Sequence, residues 1–147
     1  SLAEQQDDGN SIYWYVKEAL RLRNAYPEIS HGTAEFLENL SDDAVCVLRK
    51  NWQDSSVIVV FNCTKDERTV DLSQISADSE SGDLKLAGEL LTGTCAASWQ
   101  DGTLTLPAYG VAILKYRSEK TNQPLCCRQH QERKRSVVII QKKVRKL

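Results

Sequence analysis

Two apolar runs separated by only a few polar residues constrain this chain more than anything else in it. In the first, Ala44 to Trp52, Val45, Val47 and Arg49 alternate with Cys46, Leu48 and Lys50. That period of two is the mark of a strand with two different faces. The second, Ser55 to Thr64, carries Val57, Ile58, Val59, Val60 and Phe61 without a polar break, which predicts a strand buried on both faces. Gln53 and Asp54 lie between the runs, so an antiparallel hairpin is the economical pairing. A strand as apolar as 57–61 belongs in the middle of a sheet, and the flanking segments must supply its neighbours and its cover.

The segment before the hairpin predicts a helix. Residues 1–10 are polar and read as a loop, Ser11 reads as an N-cap, and the helix runs to about Tyr26, where Pro27 disfavours its continuation. Ile12, Tyr15, Val16, Ala19, Leu22 and Tyr26 fall at three- and four-residue steps and share one apolar face. Ser30-His31-Gly32 reads as a turn and Gly32 to Asn39 as a first strand. After the hairpin, Arg68–Ser73 alternates around Val70 and Leu72, and Gln74–Asp83 reads as a surface loop. Leu84–Thr94 is a strand interrupted by Gly88. Trp99-Gln-Asp-Gly102 is a tight turn into Thr103–Leu106, and Val111–Tyr116 is the last strand. One amphipathic α-helix followed by about seven short strands predicts a mainly β fold, an antiparallel Greek-key β-sandwich, rather than a parallel α/β fold.

Charge divides the chain. Residues 1–116 hold nine Lys/Arg against eighteen Asp/Glu, a balance of −9, while residues 117–147 hold ten against two, a balance of +8. The expected organisation is therefore a helical segment 1–29, a β domain 30–116 and a basic C-terminal tail 117–147. No apolar run approaches the roughly 20 residues of a membrane helix, so no membrane partner is expected. The chain contains no methionine, which reads as a piece of something longer. Five cysteines (46, 63, 95, 126 and 127) show no metal-ligand spacing, and no metal or other cofactor is expected. Cys46 and Cys63 fall in strand patterns, where a free thiol serves as a small hydrophobe.

At this point a family resemblance enters. Glu4-Gln5-Gln6, Ser11-Ile12, Ala19-Leu-Arg-Leu-Arg-Asn-Ala-Tyr-Pro-Glu-Ile29 and His31-Gly32 resemble the last barrel helix of alpha-amylase superfamily glycoside hydrolases and the turn after it. Val57–Thr64, Val70-Asp71-Leu72 and Leu104–Tyr116 resemble, in order, strands of the C-terminal β domain of that family. The resemblance covers residues 4–116. It implies an accessory domain of a retaining hydrolase acting on α-linked glucans, with the catalytic barrel as its partner and the catalytic acids outside this stretch.

The residues themselves agree on the last point. Retaining hydrolysis needs two carboxyl groups about 5–5.5 Å apart. Asp7-Asp8 and Asp42-Asp43 are adjacent acids in turns, and Glu35 and Glu38 point to opposite faces of a strand. His31 reads as a turn residue. No catalytic residue is therefore named. Trp52 and Trp99, near turns, are the carbohydrate-binding candidates, because an indole face stacks on the C–H surface of a sugar. Trp14 is expected in the barrel contact and Tyr109 in a bend. Asn39-Leu-Ser41 and Asn62-Cys-Thr64 fit the N-glycosylation pattern, with Asn62 at a strand end. In the tail, Arg133–Arg135 and Lys142–Lys146 lack interleaved aromatics for stacking bases, so nucleic acid is not an expected partner. The alternative to the accessory domain is a free-standing carbohydrate-binding or basic-tailed binding module.

Overall fold

The computed structural model describes residues 1–77 and 83–116, all within one compact unit. The basic tail and the middle of the 74–83 run lie outside the described residues. Eight strands form two antiparallel sheets: β1 (Thr33–Phe36), β2 (Val45–Trp52), β3 (Ser55–Asn62), β4 (Arg68–Asp71), β5 (Leu84–Leu90), β6 (Ser98–Gln100), β7 (Thr103–Leu106) and β8 (Val111–Tyr116). The larger sheet has the order β1-β2-β3-β8-β5, the smaller β4-β7-β6. The strand beyond the expected seven is β6, which pairs with β7 where only a turn was read.

β2 and β3 form the expected hairpin, with Trp52 opposite Ser55 and Gln53 at φ 53° in the two-residue turn. A second such turn joins β6 to β7, where Asp101 and Gly102 both have positive φ. That combination matches the right-handed twist of the strands it joins. β3 lies at the centre of its sheet, between β2 and β8. Its side chains show why the run has no polar break. Ile58 and Val60 enter a core shared with Val70, Leu104 and Leu106 of the smaller sheet, which makes the pair of sheets a sandwich. Val57 and Val59 point the other way and are buried with Leu22, against which Tyr26 and Ile29 pack. The larger sheet is thus the middle of three layers, with the smaller sheet on one side and helices on the other.

The helical layer differs from expectation in three places. Residues read as a loop form α1 (Leu2–Asp7), capped by Ser1, whose Oγ accepts the Glu4 N–H at 3.4 Å. The segment is also tied from outside: the Ser11 hydroxyl donates to the Gln5 carbonyl, and Trp14 Nε1 donates to the Gln6 carbonyl at 3.0 Å. α2 (Ile12–Ala25) follows, with Ser11 at the N-cap position but its hydroxyl spent on Gln5. Pro27 ends α2 and also opens a short α3 (Pro27–His31) where a turn was expected, since a proline ring is preorganised for a first helical turn. The apolar face expected on α2 is split. Of that face Leu22 is buried on the sheet, whereas Ile12 and Val16 are 67% and 48% exposed and line up at four-residue steps with Leu20, which lies outside the expected face and is 52% exposed. A short helix, α4 (Ser73–Ala77), begins the stretch read as loop, because Ile75 is drawn into the core.

Two close approaches hold the layers in register. The β5–β8 pairing shifts between Leu86 and Gly88, and the Tyr26 hydroxyl donates to the Ala87 carbonyl at 2.6 Å there. A Cβ on Gly88 would lie 2.7 Å from Leu22 Cδ2, so glycine lets α2 sit down on the sheet. At the other end of β3, Asn62 is 3% exposed. Its Nδ2 donates to the carbonyls of Asp66 at 2.8 Å, Pro107 at 2.9 Å and Leu106 at 3.4 Å. Its Oδ1 accepts from Thr64 N–H and Oγ1, both at 2.9 Å. One amide therefore joins the end of β3, the β3–β4 turn and the bend before β8.

Candidate functional site

The two tryptophans proposed from the sequence part company. Trp99 lies in β6 opposite Leu104, half-buried against the core between the sheets, and its Nε1 donates to the Leu84 carbonyl at 2.9 Å. Its indole is occupied by the fold, which corrects the expectation that a turn displays it. The short β6 drew it inward, since the residue facing Leu104 must face the core. Trp52 ends β2 at the hairpin and is 36% exposed. The exposed ring of His31, at the end of α3, sits 5.3 Å from it at an interplanar angle of 40°. The pair joins the end of α3 to the β2–β3 hairpin. Trp14 is 37% exposed with the Lys17 ammonium 4.3 Å over its ring, and Tyr109, at φ 53°, is 51% exposed in the bend before β8.

Beneath α3 lies a buried carboxylate that sequence reasoning missed. Glu28, 1% exposed, accepts from the Lys115 ammonium at 2.7 Å and from the Ser55 hydroxyl, while its Oε2 is buried without a partner. Burial pushes this carboxyl up, but the bonds from Lys115 and Ser55 outweigh it and hold the group below the usual glutamate range. The signal was present: Lys115 occupies an alternation position in β8 that otherwise faces the helices, where an ammonium needs an acid. Glu28 locks α3 onto β3 and β8.

A groove of ≈ 810 Å³ runs between α2 and the end of β5 and is lined by Ile12, Tyr15, Glu18, Arg21, Glu89 and Leu90 among others. Its carboxylates are engaged. Glu18 bonds Arg21 at 2.6 and 2.8 Å, and those bonds, against a small opposing effect of burial, hold it below the usual range. Glu89 accepts the Ala97 N–H at 2.9 Å. A glycosidic general acid must instead be protonated at working pH, which requires its pKa to be raised. A smaller groove of ≈ 360 Å³ holds the Glu35–Arg49 pair (3.4 Å) and Asn39.

The remaining candidates are structural. Asp42 Oδ1 accepts the N–H groups of Ala44 and Val45, both at 2.7 Å, which lowers its pKa and starts β2. Cys46 is a half-buried free thiol, pushed up by burial and then by nearby Cys63, which lies exposed just past β3. Among the described residues no three His, Cys, Asp or Glu gather where a metal ion could sit, and no helix is long and apolar enough to cross a membrane.

The fold is a mainly β, two-sheet sandwich with a helical layer. Residues 42–114 match the family described as the C-terminal immunoglobulin-like domain of D-apionate lactonase, a span from just before the hairpin into the last strand that leaves out α1, α2 and α3. Among solved structures, Eubacterium rectale Amy13B is similar over 80% of this chain and 22% of its own, at 38% identity and TM-score 0.73. The alpha-amylase from H. orenii matches over 80% of this chain and 22% of its own, at 17% identity and TM-score 0.61. The trehalulose synthase MutB from Pseudomonas mesoacidophila MX-45 matches over 78% and 19%, at 19% identity and TM-score 0.58. The last two likenesses speak for the fold alone. No curated protein sequence matches the chain. The structures it matches are alpha-amylase family enzymes, and the chain is similar to the C-terminal β domain of that superfamily together with the helix before it. It spans only about a fifth of their length.

Proposed function

We propose that this chain is the C-terminal accessory part of an alpha-amylase or alpha-glucosidase type glycoside hydrolase acting on α-linked glucans such as starch and maltooligosaccharides, and that it is itself structural and non-catalytic. The observation that carries this reading is the 38% identity to Amy13B over 80% of the chain. The exposed stripe Ile12-Val16-Leu20 supports it, because a helix with an apolar row on each side is built to lie between two bodies. So does the state of the groove carboxylates, which are committed to Arg21 and Ala97. The partner is then the catalytic barrel of the parent enzyme. The pure chain is expected to release no reducing sugar from starch or maltooligosaccharides, and measurable cleavage overturns the reading. Sequencing the gene upstream of the Ser1 codon should reveal an open frame for a barrel with its catalytic acids, and a start codon immediately before Ser1 would overturn it equally.

A second reading, a carbohydrate-binding module, draws on the Trp52–His31 pair. The exposed rings of Trp52 at the hairpin and His31 at the end of α3 offer a sugar an apolar stacking face. In this reading Trp52 retards the chain in an amylose-containing native gel and Trp52→Ala abolishes the retardation. Equal mobility with and without amylose rejects it.

A further inference from the structure

Two tripeptides fit the N-glycosylation pattern, and the fold treats them in opposite ways. Asn62 is buried, with its amide nitrogen spent on three carbonyls. Asn39 lies exposed in the helical turn Glu38–Leu40, and among the described residues its side chain makes no hydrogen bond. The hydroxyl that completes its tripeptide works for the fold instead. Ser41 Oγ donates to the Leu37 carbonyl at 2.8 Å and accepts the Val47 N–H at 2.9 Å. The Leu37 N–H in turn donates to the Val47 carbonyl at 3.0 Å. The turn is thus pinned to β2 on both sides of Asn39, whose amide is left in solvent. A sugar at Asn39 breaks no bond of the fold, whereas one at Asn62 displaces the amide from its carbonyls.

A second observation, independent of the tripeptide, also points to a sugar. Phe36 stands three residues before Asn39, at the end of the edge strand β1, and is 53% exposed. It belongs to neither hydrophobic core. Phe36 and Asn39 line one groove of ≈ 360 Å³, together with Glu35, Arg49 and Gln74, between the helical turn and α4. That volume is at the low end for a small-molecule site, so it suits the first sugar of a glycan rather than the whole. An N-acetylhexosamine has an apolar C–H face and a polar rim of hydroxyls and an acetamide. The phenyl ring can take the first, and the carboxylate, guanidinium and amide around it can bond the second. We propose that Asn39 is an N-glycosylation site and that the first N-acetylglucosamine of its glycan rests in this groove, with its C–H face on Phe36. The donor class is an oligosaccharide carried on a polyprenyl diphosphate. The Nδ2–C1 bond forms as the bond from C1 to the diphosphate oxygen breaks, the diphosphate leaves with the electron pair, and the amide gives up one proton. The site is independent of which parent enzyme carries the chain.

The test is expression of the 147-residue chain behind a cleavable export leader in a eukaryotic cell that glycosylates. Occupancy is read by glycopeptide mass spectrometry on secreted and retained chains alike. Asn39 should carry a glycan and Asn62 should be bare, and Asn39→Gln should abolish the gel shift that a peptide N-glycosidase removes. A bare Asn39, or a folded product modified at Asn62 instead, overturns the assignment. An endoglycosidase that leaves a single N-acetylglucosamine then isolates the groove. The trimmed protein should melt above Asn39→Gln, and that difference should vanish when both are compared in a Phe36→Ser background. Should Phe36→Ser fail to fold, the trimmed wild type decides by proton NMR. Sugar protons shifted upfield by the phenyl ring support the contact. Sugar protons at their free-glycan positions, or a melting difference that survives Phe36→Ser, overturn the placement in the groove.

Discussion

The outer face of the smaller sheet presents Thr69 and Asp71 from β4, Thr103 and Thr105 from β7, and Ser98 and Gln100 from β6, with the Thr69 and Thr105 hydroxyls 3.3 Å apart. The outer face of the larger sheet presents valines, an isoleucine, two leucines and two phenylalanines, part of them under helices. Both sheets contribute to the same core, and both are antiparallel. What separates them is their second neighbour: water for the smaller sheet, protein for the larger. An antiparallel sheet wetted on one side must alternate, while one covered on both sides loses its polar positions.

The comparison is broken most severely at its shared part. Ile58→Ala, in the core between the sheets, should cost about 2–5 kcal/mol in denaturant unfolding, because both layers lose the same contacts. Next comes the seam between sheet and helices. Glu28→Gln should cost about 1.5–3 kcal/mol at neutral pH, since a charged hydrogen bond to Lys115 is lost. Its pH dependence has a definite sign. The folded-state pKa lies below the ordinary value, so the stabilisation is present above about pH 4.3 and lost as the pH falls through the folded-state value. The gap between wild type and Glu28→Gln should therefore close in acid, and a gap that widens there contradicts the ion pair. Tyr26→Phe, which removes only the bond to the Ala87 carbonyl, should cost about 0.5–1.5 kcal/mol and raise amide exchange around the β5 irregularity. Thr69→Val on the wetted face should stay within about 0.5 kcal/mol. A larger loss there would mean that this face, too, has a cover.

The same contrast governs what could be read in advance. β3 declared its position because five consecutive apolar residues have no other home, and β4 and β7 declared theirs by alternation. The double duty of Pro27 and the helix α1 were not legible, because their causes are tertiary. α1 is held by Ser11 and Trp14 reaching back to its carbonyls, and nothing in a polar decapeptide announces such partners. The split of the α2 face was hidden for a related reason. Periodicity counts apolar positions, and it does not say how many bodies will divide them. Trp99 was misplaced through a three-residue strand too short to show a period. Trp52 was placed correctly at the hairpin, yet its partner His31 came from a helix that had been taken for a turn.

Asn62 carries a consequence of another kind. The Asn62-Cys-Thr64 tripeptide is a glycosylation acceptor by pattern, and the atom that would receive the sugar is the Nδ2 now shared among three carbonyls. In the finished fold that nitrogen is out of reach of any transferase. A glycan could be attached only to the nascent chain, before the β7–β8 bend closes over it, and the modified side chain would then hold the bend open. Asn62 would in that case mark the moment at which folding outruns modification. Exposed Asn39, in the helical turn Glu38–Leu40, keeps no such deadline.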